Sequence, residues 1–354
     1  MSASRKTGRT ETLLQRARRA GTPLIEGESA TFVWRGSRPP GLIGDFNDFD
    51  EDRPVELGES APGVWSATLT LPREAYVEYA FVRRGTRVPD PLNRRTSPDG
   101  FGNRNHYFYM PGARPAPLAR RRPHVPAGRV TRHRVETDGY AAGDTREVHL
   151  YRPPTGGPWP LVVVFDGSEY LRRARLPAIV DNLIAQNHIR PLALALVAGG
   201  GRNRLVEYGC NDATVAFVLD SVLPLARAKL DLMDPDAAPG SYGVVGASLG
   251  GVSALYLALR APAIFGHVLS QSGAFSYHGH DHVIFDLVRY LPVAPLRVWL
   301  DAGVFENLRP GNERLRELLT ARGYPVHYRE FPGGHNFVAW RNDVGRGLEW
   351  LFGA

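Results

Sequence analysis

Apolar residues follow two different rhythms along the chain. From Ala30 to about Pro111 they alternate in short runs, the clearest being Thr31-Phe-Val-Trp34, Trp65-Ser-Ala-Thr-Leu-Thr-Leu71, Val77-Glu-Tyr-Ala-Phe-Val82 and His106-Tyr-Phe-Tyr109. Gly, Pro and Asp clusters separate them, as expected of strands joined by turns. Strands at that spacing without helices predict an all-β sandwich over residues 29–111. Residues 1–28 are polar and basic, with a short amphipathic helix expected between Glu11 and Ala20. Between Pro111 and Gly128 stand five prolines and few apolar residues, which reads as a polyproline-like linker over 112–128.

Beyond the linker the period changes. Val130–Val135 and Glu147–Tyr151 are expected to open the second domain as an antiparallel pair. Apolar strands then follow at Leu161–Phe165, Leu192–Val197, the run ending at Val245, His267–Ser270, Leu296–Leu300 and Val326–Phe331. Helical periodicity falls between them, at Pro177–Gln186, Cys210–Leu230, Gly251–Arg260 and Glu313–Arg322, and again at Phe337–Phe352. Such alternation predicts an α/β domain over 129–354, with a mostly parallel sheet covered on both faces.

One junction in this domain carries chemistry. Gly246-Ala-Ser248-Leu-Gly250 lies between a buried strand and a helix, which is the setting of a nucleophile elbow. A serine hydroxyl attacks only if it is lifted off the sheet towards a base, and a sharp turn does this. The glycines leave room where a Cβ would clash, and the Leu249 amide, at the helix N-terminus, faces a developing oxyanion. An elbow calls for an acid and then a histidine downstream, each in a loop after a strand. Gly333-Gly-His335 follows the strand ending at Phe331 and supplies the histidine. Leu300-Asp-Ala-Gly-Val-Phe-Glu306 supplies the acid, with Glu306 the first choice and Asp301 the runner-up because it lies in the strand itself. A second oxyanion donor is expected from Gly167 or Ser168, in the loop after Leu161–Phe165. Ser272 is an alternative nucleophile on paper, but it has no preceding glycine and no following helix.

Other polar loops fall at the same edge. Arg202 and Arg204 are placed to grip an anionic or hydroxyl-rich substrate, or else to pair with Glu207. Tyr277 and His278 are expected to contact substrate. His278-Gly-His-Asp-His282 lacks the accompanying Cys or acidic cluster of a metal site, so no metal and no cofactor are expected.

Composition narrows the partners. The net charge is +7, but apart from Lys6 and Lys229 the basic residues are arginines. They read first as a solvated arginine-rich face, with steering of an anionic or catecholate-like substrate as the functional alternative, and no nucleic-acid partner is expected. Cys210 is the single cysteine, which leaves no intrachain disulfide. No run approaches the ~20 apolar residues of a membrane helix, and residues 1–30 hold no signal-like apolar core. The expectation is a cytoplasmic protein acting on a small-molecule ester, without a membrane partner. Its oligomeric state is left open.

At these residues the segment from about 130 to 354 resembles the esterase D family of α/β-hydrolases. That family includes enterobactin (enterochelin), feruloyl and acetylxylan esterases and mycolyltransferases. The resemblance rests on Asp166-Gly167, Arg202 to Glu207 with Asn211, Gly246-Ala-Ser-Leu-Gly-Gly251, Leu269-Ser-Gln-Ser-Gly273, Gly303 to Glu306, and Gly333-Gly-His335 with Trp340-Arg341. The enterobactin-esterase type fits best, through the run from Arg204 to Asn211 and the ending from Gly333 to Arg341. Gly44-Asp-Phe-Asn-Asp-Phe49, Gly63-Val-Trp65, Tyr79-Ala-Phe81 and Asp90-Pro-Leu-Asn93 resemble early-set immunoglobulin-like modules. The resemblance implies a siderophore ester, of the enterobactin trilactone type, as substrate. The competing expectations are a carbohydrate esterase that removes acetyl or feruloyl groups while the β-domain binds a glycan, and a non-catalytic glucan-binding scaffold.

Overall fold

The computed structural model describes residues 11–100, 102–277 and 279–354. The chain divides into two compact units, one running to Arg114 and including Pro332–Gly334, the other comprising Pro115–Phe331 and His335–Ala354.

In the first unit all strand pairings are antiparallel. One sheet runs Leu24–Glu26, Ser29–Arg35, Val64–Thr70, Gly58–Ala61, and the other Gly41–Gly44, Tyr76–Arg83, Arg104–Tyr109, Thr96–Pro98, with Thr86–Val88 beside Tyr76–Arg83. Aromatic rings join the two sheets. Phe32 stands 4.9 Å from Tyr79 and 5.8 Å from Phe108, each edge to face, and Trp34 meets Phe81 at 5.2 Å. Trp34 and Trp65 are cross-strand partners, so they share this inward face. The unit also begins earlier than residue 29. Thr12 caps the helix Leu13–Ala20, whose Ala17 is buried with Leu24 and Val33. The basic leader is thus, from Thr12 onward, part of the β unit, held by its few apolar side chains.

Among the described residues of the second unit, eight strands form one mixed sheet. Its order is Arg129–Glu136, Thr145–Arg152, Ala193–Val197, Leu161–Val164, Tyr242–Ala247, Phe265–Gln271, Arg297–Gly303, Val326–Phe331. The first two pairings are antiparallel and the other five parallel. Successive side chains of each central strand enter opposite cores. Val163, Val244, Val268 and Leu300 meet helices Leu249–Arg260, Ile284–Tyr290 and Arg309–Ala321 on one face. Val164, Val245, Leu269 and Trp299 meet Leu176–Ala185 and Phe337–Phe352 on the other. That is why these strands read as continuous apolar runs. The expected long helix consists of contiguous segments Asp212–Phe217, Val218–Val222 and Leu223–Lys229, the middle one wound more widely. No helix among the described residues is long and apolar enough to cross a membrane.

The proline-rich run is a linker only in composition. Asn182 Nδ2 donates to the Leu118 and Arg120 carbonyls at 2.7 and 2.9 Å, and Gly128 N–H donates to Asp181 Oδ1 at 2.8 Å. Ala116 and Ala119 are buried in the second core. Proline leaves its neighbours' carbonyls free of local helix bonds, so buried side-chain amides take them.

Arg146 and Glu207 form an enclosed ion pair with contacts of 2.7 and 2.9 Å, their side chains only 8% and 7% exposed. It ties strand Thr145–Arg152 to helix Arg204–Tyr208. Glu207→Ala strands a buried guanidinium and is expected to cost about 3–5 kcal/mol in urea denaturation. Pairing Arg146→Met with Glu207→Leu should recover most of that loss, and a double variant no better than the single would refute the assignment.

Candidate active site

The loops that leave the carboxyl ends of the parallel strands carry Ser248, Glu306 and His335, the usual place for a ligand in such a sheet. Ser248 ends the strand Tyr242–Ala247 and caps the helix Leu249–Arg260 with φ 58° and ψ −125°. A non-glycine residue stays in that region only when its surroundings hold it there. Here Ser248 N–H donates to Gln271 O at 2.9 Å, while its carbonyl accepts from Gly251 and Ala274 at 3.0 and 3.1 Å. A Cβ on Gly246 would lie 2.1 Å from the Gly250 carbonyl oxygen, whereas one on Gly250 finds its nearest neighbour, Asp166 Oδ2, at 3.2 Å. Gly246 is therefore the strict requirement of the turn and Gly250 the looser one.

Glu306 and His335 come together. Glu306 Oε2 lies 3.0 Å from His335 Nδ1, with the carboxylate side chain 1% exposed and the imidazole 32%. The other carboxylate oxygen accepts from Ser272 Oγ at 2.6 Å and from Gly303 N–H at 2.9 Å. A carboxylate at Nδ1 fixes that nitrogen as the protonated one and leaves Nε2 with its lone pair. The Trp340 ring stands edge-on to the imidazole at 4.9 Å.

Asp301, the runner-up acid, is fully buried. Its Oδ2 accepts from Trp299 Nε1 at 2.9 Å and Gln271 Nε2 at 3.3 Å. Oδ1 has no hydrogen-bond partner among the described residues. Burial, and then the neighbouring Asp343, push this carboxyl well above the usual range, so it tends to hold its proton. Ser272, the alternative nucleophile, is also fully buried and its hydroxyl is spent on Glu306.

In the arginine loop, Arg204 takes a partner that neither reading named. Arg204 forks onto Asp166 at 2.6 and 2.9 Å and reaches the Ala247 carbonyl at 3.3 Å, while Glu207 is taken by Arg146. Each guanidinium meets its carboxylate through two bonds, the geometry in which the two groups pair best. Asp166 in turn holds the turn before Gly167 at φ 52°. A Cβ on Gly167 would come within 2.2 Å of the Leu196 carbonyl carbon, so the loop is pressed against the neighbouring strand. Arg202 is exposed. His278 and the side chain of Tyr277 lie outside the described residues. Composition gave no sign of Ser272 or Trp340; the Ser-Gly and Trp-Arg motifs hold them, but their contacts span 34 and 68 residues.

The Esterase family model ("Putative esterase") matches residues 140–351. The chain belongs to this family. It is accordingly a carboxylic ester hydrolase. The iron(III) enterobactin esterase of Dickeya dadantii is 27% identical over 95% of this chain and 92% of its own length. The iron(III) salmochelin esterase of Escherichia coli O6:H1 is 27% identical over 94% and 90%. The enterobactin esterase FES from Shigella flexneri, crystallised in the presence of enterobactin, superposes with a TM-score of 0.75 at 22% identity, covering 97% of this chain and 98% of that one. The fold of this esterase is thus of the α/β-hydrolase type.

Because the folded state of the esterase holds the Asp301 proton, the stability from that group is complete below the unfolded value of about 3.9 and is lost as pH rises through the raised folded value. Asp301→Asn keeps an acceptor for Trp299 and Gln271 and removes the ionisation. Its gain in urea midpoint over wild type should be larger at pH 8 than at pH 5. Equal gains at both pH values would show that Asp301 is ionised throughout.

Proposed function

We propose that this protein is a serine esterase that opens an ester of an iron(III) siderophore of the enterobactin type. In this reading Ser248 is the nucleophile, His335 the general base and Glu306 the acid that orients it. The observation that carries it is the 3.0 Å contact of Glu306 Oε2 with His335 Nδ1, on a chain whose elbow serine precedes both in the hydrolase order. Support for the substrate comes from the full-length likeness to the enterobactin and salmochelin esterases.

The chemistry follows from the proton positions. With Nδ1–H given to Glu306, Nε2 accepts the Ser248 proton as Oγ adds to the ester carbonyl. The imidazolium so formed is stabilised by the buried carboxylate. Negative charge on the carbonyl oxygen is met by the amide of Leu249, which the elbow's bonds to the Ser248 carbonyl leave unused, and by the amide of Gly167. Nε2 then protonates the departing alcohol, and water repeats the steps on the acyl-enzyme. Arg202, exposed at the same sheet edge, is read as a contact for an anionic substrate, as are Tyr277 and His278 from their place in the sequence. Arg204 serves instead to brace Asp166 and the Gly167 turn. The N-terminal unit is read as an early-set immunoglobulin-like sandwich. We place the reaction in the cytoplasm, in keeping with the unpaired Cys210.

Hydrolysis of p-nitrophenyl acetate, p-nitrophenyl butyrate and a ferric triscatecholate trilactone tests this directly. Ser248→Ala and His335→Ala should each lower kcat by roughly 10³-fold or more with little change in KM. The trilactone should be preferred in kcat/KM. Simple esters cleaved with no preference for the trilactone would remove the siderophore assignment, and activity that survives Ser248→Ala would remove the elbow.

A further inference from the structure

The Glu306 carboxylate is buried with no arginine or lysine paired to it among the described residues. Its charge is met by hydrogen bonds alone, and one donor is a hydroxyl of the adjoining loop. Ser272 follows the strand Phe265–Gln271 in a left-handed conformation, φ 48°, and is fully buried. Its amide is anchored to the Asp301 carbonyl at 2.8 Å. Its Oγ stands 2.6 Å from Glu306 Oε1 and 2.8 Å from Trp340 Nε1.

The direction of these bonds is forced. An indole N–H can only donate, and an ionised carboxylate can only accept. The Ser272 hydroxyl must therefore accept from Trp340 and donate to Glu306, with no rotational choice left. Glu306 in turn accepts from His335 through its other oxygen. Four side chains from four segments form one chain in which each hydrogen points towards the carboxylate or the group that orients it. Trp340 closes the set by lying edge-on to the same imidazole.

We propose that Ser272 is a positioning residue of the hydrolytic reaction. Held by Trp340, it fixes the rotamer of Glu306 and aims its carboxylate at His335. This rests on the roles given above to Ser248, His335 and Glu306. A buried serine that merely satisfied its own polar atoms would leave the titration of the Glu306–His335 pair alone. The proposed one does not: a donor to the charged form lowers proton affinity, so removing it raises the proton affinity of the coupled pair. The acid limb of the pH–rate profile then moves to higher pH.

The test compares kcat, KM and the pH profile of wild type, Ser272→Ala, Trp340→Phe and Glu306→Gln on p-nitrophenyl butyrate. Ser272→Ala should lower kcat about 10- to 100-fold, leave KM within about twofold, and raise the acid limb by about one pH unit. Trp340→Phe keeps a ring against His335 but frees the Ser272 hydroxyl to turn away. It should move the limb in the same direction by less, and it carries the test if Ser272→Ala does not fold. An acid limb unmoved in both variants, with melting temperature alone reduced, would overturn the proposal. Full activity in Glu306→Gln would instead overturn the acid assignment beneath it, so the two failures are distinguishable.

Discussion

A carboxylate taken out of water without a cation beside it survives as an ion only if hydrogen bonds replace its hydration. Glu306 is buried without a cation beside it among the described residues, and part of the sheet's carboxyl edge is arranged around it. The Gly303 amide, the Ser272 hydroxyl and the His335 ring come from three different loops. Each loop is fixed by its strand in a sheet buried on both faces. In the proposed mechanism this carboxylate serves the imidazolium that forms on His335. An arginine at that place would neutralise the charge in advance, and the gain on forming the imidazolium would be smaller.

Arginine is used for a different purpose in this chain. Arg204 binds Asp166 and Ala247, one beside each of the two turns read as oxyanion donors. Arg146 holds Glu207, at the end of the same short helix. Arg329 meets Asp343 at 2.9 Å on the opposite side of the sheet, and Arg322 donates to the carbonyls of Val288 and Leu291. A planar fork with several donors can bind two acceptors at fixed angles, which suits it to fastening loops to strands. Several of this chain's arginines thus serve as internal ties and not as a surface for substrate.

The α/β alternation, the Ser248 elbow and the approach of Glu306 to His335 were all legible in the sequence. Each is written in local order: a period of apolar residues, a glycine-flanked serine, a loop after a strand. Legibility failed wherever a polar side chain chooses among distant partners. Arg204 was expected at substrate or on Glu207 and lies on Asp166, 38 residues away. Ser272 was weighed as a nucleophile and proves to be a donor to an acid 34 residues on. The proline-rich run was taken for a free tether, because nothing in its composition tells that Asn182 and Asp181 take up its backbone. Composition encodes which groups need partners, while only the packed fold decides which partners they find.

The order of the site along the chain has a consequence for synthesis. The elbow and Ser272 lie within residues 246–272, Glu306 follows, and His335 and Trp340 come last, in the turn and helix that complete the second core. On the proposed roles, a nascent polypeptide emerging from the ribosome therefore presents Ser248 long before it presents His335. Until the final helix packs against the sheet, the serine is an ordinary alcohol. On the same reading, hydrolytic competence waits for helix Phe337–Phe352 to pack, so a chain lacking it cannot spend substrate.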